Sequence, residues 1–142
     1  MLKPESIKIL VAEDNYINQK LINKLLINKG YDVTIVDDGQ KVLDEIEKAK
    51  YHLVLMDIQM LVMDGYQSTK IIRAKEITNG TYIPIIAVTA FAMESDKQKC
   101  FEIGMDDYIS KPEIGMDDYI SKPFNKDDFY KIIEKHLLIH YG

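Results

Sequence analysis

Residues 53–56, Leu-Val-Leu-Met, form an apolar run too short for a buried helix and closed by an acid, Asp57. That is the pattern of a strand covered on both faces, and it points to a sheet sandwiched between helices. In an open α/β sheet the carboxyl ends of the strands face the crevice where ligands bind, which makes Asp57 a candidate site residue. On position alone, a turn former or the cap of the next helix is the simpler reading.

A second strand changes that balance. Residues 8–12, Lys-Ile-Leu-Val-Ala, end in Glu13 and Asp14. Side by side in a parallel sheet, the two strands bring three carboxylates into one crevice. Two like charges about 4 Å apart repel by roughly 4 kcal/mol at an effective dielectric constant of about 20, so the cluster calls for a counter-charge. Oxygen ligands without a nearby His or Cys select a hard cation, Mg²⁺ in particular, which keeps several waters and takes one or two carboxylates from protein. Glu13 and Asp14 also suit the start of the next helix, because acids favour a helix N-terminus.

The flanking sequence alternates helical and strand patterns. Asn15 caps a predicted helix to about residue 29, with Ile17, Leu21, Leu25 and Leu26 on one face and Gly30 as its stop. Residues 32–36 read as a β-branched strand, and Asp38-Gly39 opens a helix with Val42, Leu43, Ile46 and Ala49 at helical spacing. A third helix is expected from Gly65 to about Lys75, then a turn at Asn79-Gly80 and a fourth strand over 85–88 that ends in Thr89. A fourth helix over 94–103 stops at Gly104, and a last one over about 125–138 turns Phe129, Ile132, Ile133 and Leu137 inward. Strands alternating with helices imply a parallel sheet with right-handed crossovers and helices on both faces.

At 142 residues the chain is sized for one domain, no linker divides it, and no output domain is expected. Its 23 acids outweigh 18 scattered bases, for a net charge of −5, which argues against nucleic-acid binding. A single cysteine, Cys100, cannot form an internal disulfide and fits a reducing compartment. No apolar run approaches the ~18 residues of a membrane span, and the start is too short and too soon acidic for a signal peptide. The expectation is a cytoplasmic chain with no membrane contact.

Residues 102–112 read EIGMDDYISKP, and residues 113–123 repeat them without a change. One repetition this short is no solenoid. It is a local tandem duplication, of which one copy supplies a fifth strand, Tyr-Ile-Ser, and the other is accommodated as an insert. Emergence between the fourth helix and the fifth strand keeps the insert away from the carboxylates and leaves Lys122-Pro123-Phe124 leading into the last helix. The rival arrangement uses Lys111. A monomer is expected, with insert-mediated dimerisation or strand exchange as the alternative.

Four strand ends therefore offer polar groups to one crevice. The stretches VAEDNYINQKL at 11–21, LVLMDIQMLVMDGY at 53–66, PIIAVTAFAM at 84–93 and MDDYISKPF at 116–124 resemble the receiver domain of two-component response regulators, and more closely the receivers of hybrid histidine kinases. The resemblance implies a flavodoxin-like doubly wound five-stranded parallel sheet of order 2-1-3-4-5. It implies Asp57 as phosphoacceptor, and Mg²⁺ (or Mn²⁺) held by Glu13, Asp14, Asp57 and the backbone carbonyl of Gln59. Thr89 and Lys122, with Lys111 as alternative, would contact the phosphoryl group. Thr89 and Tyr119, with Tyr108 as alternative, would act as switch residues. A histidine kinase or phosphotransfer protein would be the donor, and the chain would be a switch rather than an enzyme, with at most autophosphatase activity.

Leu61 stands where receivers usually carry proline, which should loosen the loop after Asp57. Phe91 is expected to shield the acyl phosphate and slow its hydrolysis, and the lysine–proline bond is expected to be cis. The rival readings are a degenerate receiver acting as an interaction module and a Mg²⁺-dependent phosphohydrolase of the haloacid-dehalogenase type. The hydrolase pattern needs a second acid where Gln59 stands.

Overall fold

The computed structural model describes residues 3–89, 94–110 and 126–142. After a 3₁₀ turn at Pro4–Ser6, strands β1 (Lys8–Ala12), β2 (Asp32–Val36), β3 (Leu53–Asp57), β4 (Ile85–Thr89) and β5 (Asp107–Ser110) form one sheet. All pairings are parallel and the order is β2-β1-β3-β4-β5. Helices α1 (Tyr16–Asn28), α2 (Gly39–Lys48), α3 (Gly65–Asn79), α4 (Glu94–Ile103) and α5 (Lys126–Tyr141) make the crossovers.

Side chains alternate across the strands, so the sheet has two apolar faces. Ile9, Val11, Leu53, Leu55, Ile86 and Val88 meet Leu25 and Leu26 of α1 and Phe129 and Ile133 of α5. Leu10, Val54, Met56, Ile85 and Ala87 meet Val42 of α2, Ile72 of α3 and Cys100 of α4. Fully burying each Leu or Ile contributes about 2 kcal/mol, which is why the central β3 reads as an unbroken apolar run.

The helix signals act locally. Asn15 accepts a hydrogen bond from Asn18 N at 3.0 Å, Asp38 accepts one from Lys41 N at 2.9 Å, and Asp64 forms a reciprocal capping box with Gln67. Two expectations are corrected. Ile17 is 61% exposed and Ile22 takes the core position, because the buried face of α1 runs through Ile22, Leu25 and Leu26. Helix α3 continues to Asn79, where Gly80 in the left-handed conformation (φ 69°) ends it.

The fifth strand corrects the expected placement of the duplication. It is built from residues 107–110 of the first copy. The first copy begins in the last turn of α4, at residues 102 and 103, and leaves it through one tight turn in which Gly104 (φ 114°) and Met105 donate to Cys100 O at 3.2 and 2.9 Å. That leaves Asp106 able to reach β4 at once, with Ile85 N donating to its Oδ2 at 2.7 Å. Tyr108 therefore lies in β5. Tyr119, Lys111, Lys122, both lysine–proline bonds and Phe91 fall outside the described residues.

Candidate functional site

Asp57 ends β3, Glu13 and Asp14 follow β1, and Thr89 ends β4. Ala12 pairs with Met56 and Asp57 pairs with Val88, so the sheet register itself gathers these strand ends. Glu13, Asp14 and Asp57 each place a carboxylate oxygen within 4.8 Å of the others. Glu13 and Asp57 are buried, both 1% exposed, and Asp14 faces solvent. At that spacing each pair repels by about 3 kcal/mol at an effective dielectric constant of about 20.

Hydrogen bonds from nearby residues hold the buried acids in place. Asn15 N donates to Glu13 Oε2 at 3.1 Å, and Gln19 Nε2 donates to Glu13 O at 2.6 Å. Gln59 N donates to Asp57 Oδ1 at 3.3 Å, folding the following loop back over the carboxylate. The donor set is all oxygen, two buried and one open to water, and among the described residues no His or Cys shares the cluster. That composition fits a hard divalent cation such as Mg²⁺.

The loop after Asp57 is held by features the pattern of apolar residues did not reveal. A Cβ on Gly65 would lie 2.4 Å from Asp57 O and 2.9 Å from Met56 Cγ, so only glycine lets α3 begin against the end of β3. Gly65 N donates to Ile58 O at 2.9 Å. A Cβ on Gly39 would lie 2.5 Å from Met63 O, which accepts from Gly39 N at 3.0 Å and ties α2 to the same loop. Val62 adopts φ 66°, closing a γ-turn in which Met63 N donates to Leu61 O at 2.7 Å. This conformation is strained for a β-branched residue. The signal for the two close approaches was in the sequence, as glycines directly after capping aspartates.

Thr89, 6% exposed, stands one residue beyond the register partner of Asp57 and pairs with Ser110. Tyr108 lies on the α4 side, with Lys97 Nζ 4.6 Å from its ring centroid and Phe101 edge-on at 6.4 Å. Asp64 caps α3. His52 and His136 bond elsewhere, to Lys8 N and to Asp107, and His140 stacks on Tyr82.

A network anchoring β5 was not anticipated. Arg73, the chain's only arginine, donates to Gly104 O at 2.8 Å, Ile83 O at 2.8 Å, Glu76 Oε1 at 2.6 Å and Asp106 Oδ2 at 2.9 Å. The Tyr82 ring covers its guanidinium at 4.2 Å, and the Tyr82 hydroxyl bonds to Asp106. Burial, reinforced by that bond, pushes the Tyr82 phenol up to about 12.

Comparison with known proteins places this geometry. The family model described as the response regulator receiver domain matches residues 9–114, a span that takes in the first copy of the duplication. The hybrid signal transduction histidine kinase I of Dictyostelium discoideum is 51% identical over 110 residues, covering 74% of this chain and 6% of that protein. The chain thus spans only a small part of that relative. The receiver domain of a Pseudomonas aeruginosa sensor histidine kinase, solved with magnesium coordinated in its active-site cleft, is 37% identical with a TM-score of 0.76, covering 92% of this chain and 97% of that one. A co-crystal structure of the Saccharomyces cerevisiae phosphotransfer protein Ypd1 with the receiver domain of Ssk1 aligns over 100% of this chain and 95% of the matched one, at 27% identity and TM-score 0.82. No helix among the described residues is long and apolar enough to cross a membrane.

Proposed function

This chain belongs to the response regulator receiver domain family, and from that premise we propose that it accepts a phosphoryl group on Asp57 and works as a relay switch rather than as a turnover enzyme. The observation that carries the reading is the convergence of Glu13, Asp14 and Asp57 within 4.8 Å at the carboxyl ends of two adjacent strands.

Glu13, Asp14 and Asp57, with the backbone carbonyl of Gln59, would hold Mg²⁺; the magnesium in the P. aeruginosa relative supports that choice, and manganese has no such support. When bound, the ion neutralises carboxylate charge and the charge that gathers on the transferring phosphoryl oxygens. An Asp57 carboxylate oxygen attacks phosphorus, the bond to the donor's leaving atom breaks, and its electron pair departs with the donor. The Gln59 N–H on Asp57 Oδ1 fixes the rotamer of the nucleophile. Thr89 would bond a phosphoryl oxygen, and a lysine from the duplication, Lys122 or Lys111, would pair with the group.

The donor is a histidine kinase or a phosphotransfer protein, a reading supported by the Ssk1 receiver's co-crystal with Ypd1. The signal would pass through Thr89 and an aromatic of the fifth-strand segment. Tyr108 lies in β5 and suits that part, with Tyr119 as its counterpart in the second copy.

Incubation with Mg²⁺ and acetyl phosphate tests the proposal, with intact mass as the readout. One added phosphoryl group is expected on the parent and none on Asp57→Asn. Comparing Lys111→Ala with Lys122→Ala assigns the lysine. A folded parent that binds Mg²⁺ yet stays unmodified would instead establish a degenerate interaction module.

A further inference from the structure

The contacts that hold β5 in place share one property. Among the described residues, the side chains and backbone groups from other elements that grip residues 106–109 come from outside the duplicated segments. Arg73 and Ile85 N hold Asp106, and the Tyr82 hydroxyl bonds to its other oxygen. His136 Nε2 meets Asp107 Oδ2 at 2.9 Å, and Lys97 caps the Tyr108 ring. Ile109, 6% exposed, enters the core formed with α1 and α5. The slot is thus a fixed receptor, and the chain carries two ligands for it of identical sequence, 105–110 and 116–121.

We propose that the slot is degenerate: the two copies compete for it within one chain, and the protein exchanges between two registers of its edge strand. Identical side chains make identical contacts, so packing does not separate the registers. Chain connectivity separates them weakly, because the same eleven extra residues lengthen one connection in either case, after β5 or before it, and closure entropy grows only with the logarithm of length. The strand is also open to replacement, since as an edge strand it pairs with β4 alone. Occupancy decides whether Lys111 or Lys122 follows the strand, a consequence for the site that rests on the phosphoacceptor reading; the exchange itself does not.

The test is a thermal-denaturation cycle on the full chain with Ile109→Ala, Ile120→Ala and the double variant, in which no phosphorylation is measured. Losing one of two equivalent registers removes only about a factor of two in folded arrangements, so each single variant should melt within about 2 °C of the parent. The double variant has no intact copy and should fall by about 10 °C or fail to fold. Amide spectra of the parent should show two sets of peaks for Tyr108 and Ile109, one in the strand and one out of it, collapsing to one set in either single variant. If Ile109→Ala alone falls as far as the double variant, or fails to fold, while Ile120→Ala is silent, only the first copy serves and the proposal is overturned. A double variant that melts with the parent overturns it as well.

Discussion

Gly65 meets the carbonyl of Asp57 so closely that a methyl group in place of its hydrogen would lie 2.4 Å from the oxygen. The start of α3 therefore fixes the backbone that presents the acidic side chain. Gly65→Ala should destabilise the fold by about 1–3 kcal/mol through overpacking against backbone that cannot turn aside. Because the strain falls on Asp57 itself, Mg²⁺ affinity should drop as well. Urea denaturation and a Mg²⁺ titration of the folded variant check both parts; unchanged stability would mean that the two elements separate freely.

Two buried carboxylates and one exposed one within 4.8 Å should destabilise the metal-free fold. Asp57→Asn keeps an oxygen that can accept the Gln59 N–H and removes one charge, so the metal-free protein should gain about 1–3 kcal/mol. Saturating Mg²⁺ should stabilise the parent, as any ligand of the native state does, and leave the variant nearly unmoved. Thermal melts with Mg²⁺ and with a chelator give the four values needed. An equal metal response in parent and variant would remove Asp57 from the cation site.

Sequence pattern revealed the parts of this protein that follow from short-range rules. The apolar runs at 53–56 and 85–88 became central strands because both faces of the sheet are covered, and Asn15 and Asp38 became caps because a short oxygen-bearing side chain suits exposed helix N–H groups. Ile17 was misplaced because helical spacing allows two overlapping faces, and packing against β1 and β2 chose the one through Ile22. The copy entering β5 could not be read at all, since identical residues carry no pattern to tell them apart. Arg73 was missed because its partners are backbone carbonyls and acids distant in the chain.

Arg73 joins α3 to the turn before β5 with little exposure to water, its side chain being 16% exposed and that of Asp106 14%. Arg73→Ala should cost about 3 kcal/mol, because Glu76 and Asp106 keep their charges beside each other after the cation is gone. Arg73→Lys should recover only part of this, since one ammonium cannot serve Gly104 O, Ile83 O and two carboxylates at once. Chemical denaturation of the two variants measures the loss, and full rescue by lysine would show that charge alone matters there.

Stability should fall at both ends of the pH range through identifiable rings. Burial, aided by Lys50 and Lys8, holds the His52 imidazole below its ordinary value of 6.5, and its Nδ1 accepts the Lys8 N–H only while neutral. A group depressed on folding gives stability that is complete above pH 6.5 and is lost as pH falls through its folded value. The phenols act in the opposite sense. Burial pushes Tyr66 and Tyr82 from 10.0 up to about 12, with the bond to Asp106 adding to the second, so their contribution is complete below pH 10.0 and is lost as pH rises toward 12. Melting temperature against pH should therefore decline on both sides of a plateau. His52→Gln should flatten the acid shoulder and Tyr82→Phe the alkaline one, the latter in step with tyrosinate absorbance. A Tyr82→Phe curve that declines as steeply as the parent's would assign the alkaline loss to other groups.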